Sequence, residues 1–112
     1  MELSVWERFK LLQILPEKGD FITLKIVRKL REDLSFSEEE QAVFQFKQDG
    51  ERMMWNPEAD QFKELQFGPK ATSIIIEALK AVDKRKMLDN SQLILFEKFV
   101  DTTEYDLGGE AG

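Results

Sequence analysis

Apolar side chains at Trp6, Phe9, Leu12 and Leu15, with Leu11 and Ile14 broadening the stripe, predict an amphipathic helix with one buried face. Ser4-Val5-Trp6-Glu7 sets its start, because a Ser hydroxyl and a Glu carboxylate three residues on can satisfy first-turn amides reciprocally. Pro16 and Gly19 end it. From Asp20 or Thr23 a second helix carries Ile26, Val27, Leu30 and Leu34 on one face and Lys25, Arg28, Lys29 and Arg31 largely elsewhere. Phe21-Ile22-Thr23-Leu24, aromatic and β-branched, also allows a short strand ahead of that helix. Ser37-Glu38-Glu39-Glu40 repeats the capping pattern and places three carboxylates at the positive end of a short third helix carrying Ala42 and Val43.

The period then shortens to two. Phe44 and Phe46 alternate with Gln45 and Lys47, which predicts a strand; Asp49-Gly50 suits the positive-φ positions of a tight turn, and Glu51 to Trp55 returns as the partner. Asn56-Pro57 interrupts the pairing, and Phe62 to Phe67 alternates again as a third strand before Gly68-Pro69. Pro69 fits the first turn of a long helix with its stripe at Ile74, Ile75, Ala78, Leu79 and Val82, and Lys84, Arg85 and Lys86 complement its negative end. Three consecutive isoleucines cannot share one seam, so Ile76 is expected to face a second surface. Ser91 or Asn90 caps a last helix with Leu93, Leu95, Phe96, Phe99 and Val100 as candidates for burial. The predicted fold is α+β, about five helices packed on a small antiparallel sheet spanning Phe44 to Phe67 around a central hairpin. Residues 1–100 read as one globular domain and 101–112 as a flexible acidic tail.

Composition narrows the chemistry. A chain of 112 residues supports one core, and 42% apolar content with nine Phe supplies the volume to fill it. Neither Cys nor His is present, which removes disulfides, thiolate or imidazole zinc sites, and Cys–His or Ser–His nucleophile pairs. The net charge of −6 opposes general attraction to nucleic acid or an anionic membrane, so such contact requires a local patch. Met1-Glu2-Leu3-Ser4 lacks a basic region followed by an apolar run, and no stretch is long enough to span a bilayer; a cytoplasmic protein is the expectation.

Lys25, Arg28, Lys29 and Arg31 form the densest basic cluster, the first three at i, i+3 and i+4 on one surface, and read either as a phosphate-binding face or as a solvated helix face paired with acids such as Glu32. Helix, optional strand, helix, helix, hairpin is also the order of a winged-helix domain, and the chain from Ser4 to Asn56 resembles one in topology. There the third helix would enter the major groove, but here it opens with Glu38, Glu39 and Glu40, which phosphates repel. Met53, Met54 and Trp55 on the returning strand are candidate anchors for a protein partner. The acids Asp101, Glu104, Asp106 and Glu110 lack the spacing and central glycine of a calcium loop. No Gly-rich phosphate loop or nucleophile motif implies a cofactor or a reaction.

Two stretches, Gly19-Asp20-Phe21-Ile22-Thr23-Leu24-Lys25-Ile26-Val27-Arg28 through Leu34-Ser35-Phe36-Ser37-Glu38-Glu39-Glu40, and Gly68 to Val100, resemble small accessory proteins of phage and prophage genomes. The resemblance covers about half the chain. It implies a phage-type accessory or assembly protein in a bacterial cytoplasm and transfers no functional residue. The expectation is a non-catalytic protein-interaction module, plausibly homodimeric, binding through Trp55, Met54, Phe62 and Ile76. The alternatives are a winged-helix nucleic-acid binder using Lys25, Arg28 and Lys29, with the hairpin as its wing, and an enzyme working through carboxylates and lysines alone.

Overall fold

A helix with one apolar face must pack that face against another element, and four helices here solve the problem together. The computed structural model describes residues 1–50, 52–56 and 62–101, with the backbone alone at 52 and 53. The elements run β1 (Glu2–Leu3), α1 (Val5–Ile14), α2 (Phe21–Leu34), α3 (Glu38–Phe44), β2 (Lys47–Asp49), β3 (Arg52–Met54), β4 (Lys63–Glu64), α4 (Pro69–Lys84) and α5 (Asn90–Phe99). The fold is α+β with five helices among the described residues, as the hydrophobic pattern predicts.

The body consists of α1, α2, α4 and α5, with α1 and α4 each packing on both α2 and α5. Leu11, Leu15, Val27, Leu30, Leu34, Ile75, Leu79, Leu95 and Phe96 fill its centre, each such side chain contributing roughly 1.5–3 kcal/mol by leaving water. β1 pairs antiparallel with β4, Glu2 opposite Glu64 and Leu3 opposite Lys63. Leu3 and Leu65 join the same core from this ribbon. Lys98 on α5 fastens the ribbon and α1 together: its Nζ donates to the Glu2 carbonyl at 3.0 Å and to Glu7 Oε1 at 2.9 Å, and lies 2.8 Å from Glu7 Oε2. The buried Glu7 carboxylate thereby has its counter-charge, and Oε1 also accepts the Ser4 amide of the predicted capping box.

The remaining layer is aromatic. Phe36, Phe44 and Phe46, from α3 and its flanks, meet Phe9 and Trp6 of α1 and Trp55 after the hairpin. Trp6 and Trp55 stack with centroids 5.4 Å apart, and the Phe9 ring lies 4.8 Å from Phe36 and 5.1 Å from Phe46.

Several expectations change. Phe44 ends α3 rather than starting a strand; Gln45 then takes a left-handed conformation (φ 54, ψ 56), and both Phe44 and Phe46 reach one aromatic cluster. Two rings on one side mimic strand alternation although a helix cap lies between them. The hairpin forms, but Asp49 pairs with Arg52 inside the ladder, so its loop starts at Gly50 (φ 62). The segment Phe62 to Phe67 contributes only Lys63 and Glu64, and these pair with β1 instead of the hairpin, giving two separate two-stranded ribbons. Phe21–Leu24 is helical because Asp20 accepts the Thr23 amide at 2.8 Å and caps α2 there. This leaves no strand between α1 and α2 to complete a winged-helix sheet, and among the described residues the β2–β3 ribbon pairs only with itself. Asp89, not Asn90 or Ser91, caps α5 in an Asp/Gln capping box with Gln92. Leu93 faces solvent, while Val43 and Ala42 lie on the outer side of α3. Of the anticipated tail only Asp101 is among the described residues, and Pro57 of the expected chain break also lies outside them.

Candidate interaction surface

On α2, burial of Val27, Leu30 and Leu34 fixes the helix rotation and sends Phe21, Lys25, Arg28 and Glu32 outward along one stripe. The result at the first turn is unusual for a surface: Phe21 is 70% and Ile22 54% exposed, and Leu24 is exposed beside them. Asp20 is committed to the cap, and the amide and hydroxyl of Thr23 hold its carboxyl below the ordinary range. Lys25 Nζ sits 5.5 Å over the Phe21 ring. Lys29 is ion-paired with Asp33 at 3.0 Å, one helical turn on, and that hydrogen bond raises its pKa. Among the described residues, Lys25, Arg28 and Arg31 make no ion pair. The basic surface anticipated from the sequence is therefore present, but one of its three predicted members is internally neutralised.

An open groove runs from this turn along α4, floored by Ile22, Ile26, Pro69 and Ile74 and edged by Asp20, Lys70 and Glu77. It continues past Ile14 and Pro16 to Ala78, Ala81 and Arg85. The three charged side chains at its edge are solvent-exposed. No group of three or more carboxylates among the described residues is placed to hold a metal ion, and no described helix is long and apolar enough to cross a membrane.

A second outward face lies on α5. With Leu95, Phe96 and Gln92 turned inward, Leu93 (48% exposed), Ile94 (53% exposed) and Glu97 point away from the body.

The four anchors anticipated from the sequence separate into two kinds. Met54 and Phe62 are exposed. Trp55 is half-buried and stacked on Trp6, so it holds the hairpin to α1, and Ile76 is half-buried against the core. Ile74, Ile75 and Ile76 all reach apolar neighbours, because α4 is flanked by α2 on one side and α5 on the other. The side chain of Met53 lies outside the described part. Lys25, Arg28 and Lys29 are together on the exposed face of α2.

Sequence reasoning missed three features. The exposure of Phe21 and Ile22 was not anticipated, their segment being open to either helix or strand, and Leu93 read as a candidate for burial. Arg8 passed unnoticed inside the α1 stripe, yet it is wholly buried and donates from Nε to the Leu34 carbonyl (3.1 Å) and from Nη2 to the Ser35 carbonyl (2.7 Å). The available signal was its period: Arg8 sits one helical turn from Leu11 and Leu12, on the apolar side.

Comparison of the chain with models of known protein families, with characterised proteins and with solved structures finds no match.

Proposed function

We propose that this protein is a non-catalytic protein-interaction module that docks through the outer face of α2. The carrying observation is the exposure of Phe21 and Ile22, side by side at the mouth of an apolar groove, in a chain that had ample core into which to turn them. Leaving such side chains in water forgoes roughly 1.5–3 kcal/mol apiece, which a partner recovers on binding. The resemblance of Gly19–Arg28 through Leu34–Glu40, and of Gly68–Val100, to phage-type proteins supports reading such a module as an accessory or assembly protein of a bacterial cytoplasm. Photo-crosslinking from a benzoylphenylalanine at position 21, in cells that make the protein, tests this reading. A protein adduct at position 21 and none at position 80, on the outer face of α4, supports it; no protein adduct at position 21 sinks it.

Lys25, Arg28 and Arg31, without ion pairs among the described residues and next to an exposed Phe21, keep a nucleic-acid reading alive. Against it stand Glu32 on the same stripe, the neutralised Lys29 and the net charge of −6. A low-salt mobility shift that is steeply salt-dependent and lost in Lys25→Ala/Arg28→Ala would reverse the preference.

A further inference from the structure

We infer that α5 is exchangeable between copies: two chains open at the α4–α5 connection, and each lays its α5 in the seat of the other, giving a two-fold dimer. The occupant of the seat is then the α5 of a second copy, whose fit is the one already seen within a single chain. Leu95, Phe96 and Val100 are buried there, α1 and α4 both pack on the helix, and Lys98 reaches from it to the buried Glu7 at 2.8 Å. None of these contacts depends on which chain supplies the helix, so the closed and exchanged forms differ at the connection and in the entropy of association.

The connection is a weak stop. Between Lys84 and Asn90 the chain reads Arg85-Lys86-Met87-Leu88-Asp89, with neither glycine nor proline, and its first four residues are good helix formers. α4 nevertheless ends there in the reverse turn that usually takes a glycine. The Met87 amide donates to the Val82 carbonyl at 3.1 Å and the Lys86 amide to the Asp83 carbonyl at 2.8 Å. Lys86 therefore adopts a φ of +58, the left-handed region that a side chain with a Cβ resists. Met87, whose side chain would complete such a turn by covering Val82, is instead 68% exposed. Opening the connection into helix relieves Lys86, joins α4 and α5 into one rod and carries α5 to a neighbour. Against this stand the Asp89 capping box, which a continuous helix forgoes, and the charges of Lys84, Arg85 and Lys86, which approach their copies where the two connections meet. Mass action then decides: the closed chain prevails when dilute and the exchanged dimer when concentrated. Because α1 and α4 each pack on both α2 and α5, exchange does not engage the outer face of α2. On the interaction reading above, the dimer presents two such faces at once.

Light scattering of the full chain, unfolded in urea and refolded at high salt over a range of protein concentrations, is the test. A dimer fraction that grows with the concentration during refolding and relaxes slowly on dilution is expected, since α5 must leave a buried seat to return. Lys86→Gly accepts the left-handed position and disfavours the opened helix, so it should weaken dimerisation by about tenfold or more. The Glu7–Lys98 pair separates exchange from association of surfaces. Glu7→Lys alone sets two lysines together and Lys98→Glu alone two glutamates, so each should be destabilised. Refolded as a mixture, the two variants should regain stability as a mixed dimer, because each seat then holds one lysine and one glutamate; contact between closed chains cannot do this. The chain carrying both substitutions shows whether the reversed pair folds, and if it does not, wild type and Lys86→Gly decide alone. A chain monomeric at every refolding concentration, a dimer indifferent to Lys86→Gly, or a mixture that gains nothing while the doubly substituted chain folds would each overturn exchange. Crosslinking from position 21 is unaffected by any of these results, so the loss of this inference leaves the interaction reading standing.

Discussion

Arg8 and Glu40 meet edge to edge: Nη1 donates to Oε2 at 2.6 Å and Nη2 to Oε1 at 3.2 Å, with the arginine wholly enclosed and the glutamate only partly. The guanidinium also lies 4.0 Å over the Phe36 ring. One side chain of α1 thus holds the end of α2, through two carbonyls, and the start of α3, through a carboxylate. Glu40 belongs to the α3 capping box as well, its Oε1 accepting the Ser37 amide at 3.0 Å.

This geometry separates three adjacent glutamates that look alike in sequence. Glu40→Ala leaves an enclosed cation without its partner and should cost about 3–5 kcal/mol. Glu38→Ala and Glu39→Ala remove only exposed charges near a helix start and should each cost about 0.3–1 kcal/mol. Urea unfolding at neutral pH reads the contrast, and equal costs at the three positions would show that Arg8 does not depend on Glu40.

Acid should unfold the protein through the same pair. Hydrogen bonds from Arg8 hold the Glu40 carboxyl down at about 2 from its ordinary 4.5, against the opposing effect of partial burial. Burial likewise works to raise Asp89, but the Ser91 hydroxyl, the Gln92 amide and Lys10 outweigh it and bring that carboxyl to about 2 from 3.8. Both groups are more acidic folded than unfolded, so their stabilisation is complete above the unfolded values and is lost as pH falls from about 4.5 toward 2. Neither contributes a slope between neutral and alkaline pH. Urea midpoints taken at pH 7, 5, 4 and 3 should stay level and then drop, with a shallower drop in Glu40→Gln; a midpoint unchanged at pH 3 would count against this account.

What the sequence disclosed and what it hid divide along a physical line. Local signals were legible: the Ser4–Glu7 and Ser37–Glu40 capping boxes, Pro69 opening α4, and the 3.6-residue stripes of α2 and α4 all correspond to interactions within one or two turns. Long-range pairing was not. Nothing near Glu2 or Lys63 announces that residues some sixty positions apart form a ribbon, because a two-residue strand has no readable period. The period of α1 puts Arg8 on its apolar side, but nothing in α1 names its partners, which lie at the end of α2 and the start of α3. The candidate surface fell between these cases: the cations of α2 were anticipated, whereas the exposure of Phe21 and Ile22 was obscured by β propensity in Phe21–Leu24, which the Asp20 cap overrides.

Lys98 offers a separate test of buried charge. It neutralises a glutamate that is nearly inaccessible, and it does so from the far end of the chain. Lys98→Met should therefore destabilise by about 3 kcal/mol, while Lys98→Met combined with Glu7→Gln should recover part of that loss by removing the stranded carboxylate. Denaturant midpoints of the single and double variants measure the coupling, and strictly additive effects would mean that the two side chains do not act on each other.

Gly50 isolates the backbone contribution of the hairpin. Its φ of +62 is a conformation that L side chains resist, and an added Cβ meets nothing within 4 Å, so a substitution there meets backbone strain without a clash. Gly50→Ala should cost about 1 kcal/mol and Gly50→Asn less, because a short amide side chain tolerates the left-handed region. The loss should show as faster amide exchange in the β2–β3 ladder, and equal exchange in the two variants would assign the loop another conformation.

The α3–hairpin layer should open before the body does. Among the described residues, no side chain of α3 or the hairpin enters the aliphatic centre, and α3 does not pack extensively on any helix of the body. Its attachment runs through stacked and tilted rings, Trp6 on Trp55 and Phe9 against Phe36 and Phe46, together with Arg8. Such a layer can detach while Leu11, Leu30, Ile75, Leu79 and Leu95 remain packed, so its opening free energy must lie below that of global unfolding. Hydrogen exchange should find the amides of α3 and of β2–β3 less protected than those of α1, α2 and α4. Trp55→Ala should widen that gap by removing the ring that meets Trp6, Phe9 and Phe46 at once. If protection instead falls equally in α4, the rings and the aliphatic core form one cooperative unit, and the attachment through Arg8 is stronger than the layer's sparse packing implies.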